Sequence, residues 1–272
     1  MIPNVLSIAG SDPSGGAGIQ ADIKSISANG GYAMAALTAL TAQNTQTVHA
    51  VELVSPDMVR HQIEALCADI RIDAVKLGML GDARIIETVA DALQGLDAPL
   101  VLDPVMVAKS GDRLLAENAV SALRNHLLPR ATILTPNLPE AADLLGEAEA
   151  SNQLQMEHQA RALLDLGAQT VLLKGGHLSD KHCPDLLALR ERMEWLEGPR
   201  VDTKNTHGTG CTLASALATL LAKGHPVPEA ARRAKAYVSD AIATSAALDV
   251  GLGNGPTHHF HALWSDQTAA ST

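Results

Sequence analysis

Short apolar runs alternate with longer amphipathic stretches along almost the whole chain. Val5-Leu6-Ser7-Ile8-Ala9 reads as a buried strand closed by Gly10, and a helical spacing follows over residues 19–28. Residues 33–40 predict a second strand, ended by the polar run Thr41-Ala42-Gln43-Asn44-Thr45. Ser55-Pro56-Asp57 predicts a helix start, with serine as cap and proline at the first helical position. Met58, Val59, Ile63, Leu66 and Ile70 then fall on one stripe. Further strands are predicted at 74–77, 100–102, 133–134 and 170–173. The intervening helices are expected at 82–93, 117–128 and 152–166, and two late ones at 211–223 and 228–248. Residues 186–189 and 193–196 predict a small hairpin at a sheet edge. Strands alternating with helices imply an α/β fold with a largely parallel sheet. The expectation is one domain over residues 1–264 and a disordered tail over 265–272.

Composition narrows the function classes. Of 272 residues 46% are hydrophobic but only 2% aromatic, so the core must be aliphatic and stacking platforms for bases are nearly absent. A net charge of −10 also argues against a nucleic-acid partner, whose phosphates call for a basic face. Three cysteines (Cys67, Cys183, Cys211) without a paired motif fit a reducing compartment. Without a basic leader or a run long enough to span a bilayer, the expectation is a cytoplasmic protein with no membrane partner.

Candidate chemistry sits at the predicted strand ends. The first loop, Gly10-Ser11-Asp12-Pro13-Ser14-Gly15-Gly16-Ala17-Gly18, joins a strand to a helix, the layout of a ligand-binding crossover. Gly16-Ala17-Gly18-Ile19-Gln20-Ala21 matches the dinucleotide spacing. No acidic residue stands between Asp22 and Glu52 to hold a ribose, and no lysine follows Gly15 as a P-loop requires. The late stretch Asn205-Thr206-His207-Gly208-Thr209-Gly210-Cys211-Thr212 reads either as a glycine turn before a core helix or as an anion site at a helix N-terminus. In the second reading Cys211 has a lowered pKa and serves as nucleophile or base. Gln43 can donate and accept together, as an aza-ring edge requires. Asp103, in Asp103-Pro104-Val105-Met106, suits a metal or phosphate-side role. Asn137 and Glu140 have the spacing of a capping box. Lys174-Gly175-Gly176-His177 suits a phosphate contact or a solvated turn. His258-His259-Phe260-His261 matches no standard zinc spacing and reads as structural.

Taken together, seven stretches in order resemble the ribokinase-like superfamily and, within it, the bacterial hydroxymethylpyrimidine/phosphomethylpyrimidine kinases of thiamine biosynthesis. They are Ala9–Asp12 with Gly15–Asp22, Thr41–Thr45, Lys76–Met79, Leu102–Met106, Thr135–Glu140, Leu173–His177 and Asp202–Thr212. The resemblance implies a three-layer α/β/α sandwich and a homodimer. It also implies an ATP-dependent kinase that phosphorylates 4-amino-5-hydroxymethyl-2-methylpyrimidine and then its monophosphate. Gly10, Asp22, Gln43, Met79 and Val105 would form the pyrimidine site. Asn137, Lys174 and Thr209 would hold ATP, and Asp103 and Glu140 would hold Mg²⁺. The N–H groups from Gly208 through Thr209 and Gly210 to Cys211 would form the anion hole. Cys211, its pKa lowered by the helix dipole, would take or orient the hydroxyl proton. Pro13-Ser14 stiffens a loop that is often Ser-Gly in this family, and the 186–196 hairpin is generic. Two other readings share these residues: a pyridoxal kinase of the same superfamily, and a pyrimidine-binding sensor without catalysis.

Overall fold

The structure is a computed structural model that describes residues 1–106, 117–176, 178 and 183–264. The expected loop at 108–113, His177 and the tail at 265–272 lie outside the described residues. In chain order the first elements are β1 (Asn4–Ala9), α1 (Gly18–Ala28), β2 (Tyr32–Leu37), β3 (Ala39–Gln43), β4 (Val48–Leu53) and α2 (Pro56–Asp69). The middle of the chain forms β5 (Ala74–Leu77), α3 (Ala83–Ala92), β6 (Leu100–Leu102), α4 (Glu117–Ala122), β7 (Ile133–Leu134) and α5 (Leu138–Leu145). Then come α6 (Gln153–Asp165), β8 (Thr170–Leu173), β9 (Asp185–Leu189), β10 (Met193–Leu196), α7 (Thr209–Ala222) and α8 (Val227–Ala243).

Eight strands form one sheet in the order β10-β9-β8-β7-β6-β5-β1-β2, and β3 and β4 pair separately. All pairings from β2 to β8 are parallel, while β9 and β10 join antiparallel at one edge. The strands are apolar at successive positions because both faces are covered. Leu6, Ile8, Val75, Leu77, Leu102 and Val171 pack into the cluster that contains α2, α3 and α6. The alternate residues Val5, Ala74, Val101, Ile133 and Leu172 pack against α7 and α8. That period of two is what makes three layers, and each fully buried leucine contributes about 1.5–3 kcal/mol.

Parallel strands leave their carboxyl ends on one side of the sheet. The chain departs from β1 in both directions, to β2 and to β5, so β1/β5 is the switch point where a crevice opens. Loops and helix ends gathered there supply the site.

Three local readings change. The strand expected at 33–40 is two strands. Thr38 leaves the sheet, donating its N–H to the Ala9 carbonyl (3.0 Å) and its hydroxyl to the Met79 carbonyl (2.6 Å). The chain then forms the β3–β4 flap, whose second strand is almost wholly exposed and therefore carries no burial signal. The helix expected to run to 128 is α-helical only to Ala122 and then widens into a π turn at Leu123–Leu127. Pro129, which cannot donate to the preceding turn, follows directly. The last helix ends at Ala243, with one further turn at Ser245–Ala247.

Candidate active site

The centre of the site is the N-terminus of α7. Gly208 caps it in the left-handed region at φ +75°, and a Cβ there would overlap the carbonyl oxygen of Gly16. Only glycine lets this loop lie against the first one. Thr212 donates its N–H to Gly208, whereas among the described residues the N–H groups of Gly210 and Cys211 have no acceptor. Two free donors at a helix N-terminus make an anion site. A Cβ on Gly210 would stand 3.2 Å from Lys174 Nζ and 3.4 Å from Asp103 Oδ2, so the cradle abuts both charged groups.

Lys174 follows β8, donates to Asp103 Oδ1 at 3.0 Å and lies 3.8 Å from Glu140 Oε2. Thr135 also donates to Asp103 Oδ1, at 3.1 Å. Asn137 and Glu140 do form the capping box: Glu140 donates its N–H to Asn137 Oδ1, and Asn137 donates its N–H to Glu140 Oε2, both at 2.8 Å. The turn chemistry and the placement at the site are both present. Burial raises the Glu140 carboxyl to about 7, against the pull of Lys174. Burial alone would discharge Lys174, but Asp103 and Glu140 keep its pKa above the ordinary lysine value.

Beneath this layer lies a second ion pair that sequence reasoning missed. Lys76 Nζ donates to Asp22 Oδ2 at 2.8 Å, and neither side chain has any exposed surface. Ser7 donates to the same oxygen at 2.6 Å and Ser215 to Oδ1 at 2.8 Å. Asp22 is thus held by one cation and two hydroxyls, with no exposed surface in this ligand-free structure. A lysine inside the apolar run Ala74-Val75-Lys76-Leu77 was the available signal.

Cys211 also departs from expectation. Burial pushes its thiol up to about 11, although Lys76 and the Gly18 N–H directed at it pull the other way. The helix dipole does not overcome desolvation, with Asp22 and Asp103 adding to the rise. The desolvation of the half-buried Cys211 favours the thiol over the thiolate.

The glycine loops close the other side. Asp12 is 2% exposed and serves as a hub. Its Oδ1 accepts from the Ser14 N–H and hydroxyl, and its Oδ2 accepts from the Ala17 N–H. His207 Nε2 lies 2.8 Å from the same Oδ2. Burial would raise the Asp12 carboxyl, but His207 and Ser14 outweigh it and hold it below the ordinary value. A Cβ on Gly16 would overlap the His207 ring. An aspartate within a glycine loop and a histidine just before Gly208 were visible but unpaired in sequence.

Gly10 and Met79 meet at the switch point, where a Cβ on Gly10 would come within 2.8 Å of Met79 Cε. Gln43, on β3, reaches His207 at 3.4 Å. Val105 is half-buried just beyond Asp103, and Thr209 turns its hydroxyl onto the Thr206 carbonyl at 2.8 Å. The His258–His261 stretch is structural: His259 Nε2 lies 3.0 Å from Thr212 Oγ1, behind the anion hole. Among the described residues no group of three or more His, Cys, Asp or Glu could hold a metal alone. Asp103 Oδ2 and Glu140 Oε1 carry no hydrogen bond among the described residues. Mg²⁺ with phosphate and water ligands needs only one or two such oxygens, so the pair fits it.

Residues 12–258 match the family described as phosphomethylpyrimidine kinase. A hydroxymethylpyrimidine/phosphomethylpyrimidine kinase of Salmonella typhimurium is 51% identical over 96% of this chain and 98% of its own. Among solved structures, an ADP complex of Bacillus subtilis pyridoxal kinase has a TM-score of 0.88 at 39% identity, covering 95% of this chain and 98% of that one. Phosphomethylpyrimidine kinase from Clostridium difficile has a TM-score of 0.78 at 41% identity, covering 88% and 99%.

Proposed function

The chain belongs to the phosphomethylpyrimidine kinase family, and from that premise we propose how its residues perform the reaction. The enzyme phosphorylates the hydroxymethyl group of 4-amino-5-hydroxymethyl-2-methylpyrimidine and then the resulting monophosphate, with ATP as donor, for thiamine biosynthesis. One observation carries the mechanism: the free N–H groups of Gly210 and Cys211, Lys174 and Asp103 converge on one point at the sheet's carboxyl edge.

Phosphoryl transfer asks mainly for positioning and charge stabilisation. The Gly210 and Cys211 N–H groups hold the transferring phosphoryl oxygens, and Lys174 neutralises the growing charge beside them. Asn137 and Thr209 would hold the nucleotide. Asp103 and Glu140 would hold Mg²⁺, which supplies further charge neutralisation when bound. Cys211 keeps its proton in the free enzyme, so its sulfur orients the substrate hydroxyl. The hydroxyl proton passes to an oxygen of the transferring phosphoryl group as the bond to phosphorus forms late in transfer. Gly10, Met79 and Val105 wall the ring, and Gln43 reads its polar edge.

The remaining features fit a single kinase domain over residues 1–264 that works as a homodimer. Val51 and Leu53, two apart on one strand of the flap and therefore on one face, are 45% and 41% accessible and offer apolar surface to a second copy. Three free cysteines suit a reducing cytoplasm, and among the described residues no helix is long and apolar enough to cross a membrane.

The test is purified protein with Mg-ATP and the hydroxymethylpyrimidine, followed by mass spectrometry. Monophosphate then diphosphate is expected. Phosphate appearing on pyridoxal alone would overturn the assignment.

A further inference from the structure

Gln43 has two polar neighbours, and their hydrogen-bond polarity decides which way its carboxamide faces. Thr41 Oγ1 lies 2.9 Å from the Ser11 carbonyl and 3.4 Å from the atom of Gln43 placed as Oε1. A carbonyl only accepts, so the single hydroxyl proton of Thr41 belongs to Ser11. Toward Gln43, Thr41 Oγ1 can then only accept.

On the other side, the Gln43 atom placed as Nε2 lies 3.4 Å from His207 Nε2. That histidine nitrogen also faces Asp12 Oδ2 at 2.8 Å. Asp12 already takes the Ser14 N–H, the Ser14 hydroxyl and the Ala17 N–H, so it is an ionised acceptor. Its fourth partner, His207 Nε2, must carry the proton. A Gln43 amide nitrogen there would set donor against donor, while its oxygen would set acceptor against acceptor at Thr41. Exchanging the two atoms, which have nearly equal volume, resolves both conflicts at once. Oε1 then takes the longer arm, 3.4 Å, of a three-centre contact with the His207 N–H that Asp12 holds at 2.8 Å, and Nε2 donates to Thr41.

We propose that the Asp12–His207 pair is a positioning device that fixes the orientation of the Gln43 carboxamide and thereby selects an aminopyrimidine over a pyridine carbaldehyde ring. With the amide so held, one N–H and one oxygen lone pair remain side by side for the ligand. That edge complements a ring nitrogen next to an exocyclic amine, which an aminopyrimidine has and pyridoxal lacks. Sites built on such paired polarity discriminate strongly, because the wrong ring leaves buried polar groups unpaired.

The proposal rests on the kinase reading above, and its test separates the two. The quantity measured is kcat/KM for the hydroxymethylpyrimidine relative to pyridoxal, the latter taken as a competitive inhibitor if it is not turned over. His207→Leu is expected to lower this ratio at least tenfold, through KM for the pyrimidine, with pyridoxal changed less than about twofold. His207→Gln, whose amide nitrogen reaches the Nε2 position, is expected to restore the ratio to within about threefold. In a Gln43→Ala background His207→Leu should change the ratio less than twofold. Equal losses for both ligands, or a loss that persists without Gln43, would overturn the proposal while leaving the kinase reading intact. Failure of the wild type to phosphorylate the pyrimidine would instead count against that reading. Should His207→Leu not fold, ¹⁵N NMR of the wild-type imidazole decides. A proton on Nε2 is expected, and a bare Nε2 refutes the proposal.

Discussion

Replacing Lys76 by methionine keeps the volume of the side chain and removes its charge, leaving Asp22 with no cation. The carboxylate has no exposed surface, so water cannot compensate. Breaking a buried pair in this way costs about 3–5 kcal/mol. The hydroxyls of Ser7 and Ser215, at 2.6 and 2.8 Å, still stabilise the carboxylate, which places the expected loss near the lower end, about 3 kcal/mol. Asp22→Asn combined with Lys76→Met removes both charges and should cost only about 1 kcal/mol more than wild type, because the desolvation penalty disappears with the attraction. The assay is urea unfolding followed by circular dichroism, with coupling obtained from the double-mutant cycle. A loss below about 1 kcal/mol for Lys76→Met, or a double variant as unstable as the sum of the singles, would refute the account of the pair.

Other outcomes follow from the same geometry. Gly208→Ala forces a residue with a Cβ into φ +75° against the Gly16 carbonyl. Displacing the cradle by about 1 Å should lower kcat about 10²-fold, and wild-type kcat in this variant would remove the cradle from catalysis. Cys211, with its thiol up at about 11, should react with iodoacetamide far more slowly at pH 7.5 than a free thiol and accelerate up to pH 10. Peptide mapping that finds rapid labelling at pH 7.5 would contradict this. Burial, with Lys24 nearby, lowers His259 to about 4. Its folded value lies below the unfolded one, so stability is intact above about pH 6.5 and falls as pH drops toward 4, by up to about 3 kcal/mol. His259→Gln should flatten that limb in urea titrations, and an unchanged slope would exclude His259.

The sheet was legible because both of its faces are buried. Val5, Leu6, Ile8, Val75 and Leu77 announce strands by composition, and Ser55 and Asp82 announce their helices as caps, each accepting a backbone N–H in the structure. The flap was not legible, because β4 buries nothing and its alternation has no core to point toward. Asp103 and Lys174 stood out because polar residues at strand ends serve no packing purpose, and Gly208 because a glycine pair there precedes a helical run. The Asp22–Lys76 and Asp12–His207 pairs did not, since each joins residues that only the fold brings together. The Cys211 thiol was misjudged for a related reason. A helix terminus can be read from glycines, but the burial that opposes its dipole belongs to the whole assembly.

The bond that ties the two glycine loops together, His207–Asp12, spans 195 residues, and Ser215–Asp22, which ties the helices that follow them, spans 193. On a ribosome, every parallel strand from β1 to β8 is therefore made before the segment that supplies the phosphate cradle. A growing chain that stops short of Gly208 has all its parallel strands but neither the α7 and α8 layer that covers one face of the sheet nor a place to hold a transferring phosphoryl group. The segment from Gly208 to Cys211 is thus the last part of the candidate site to be made.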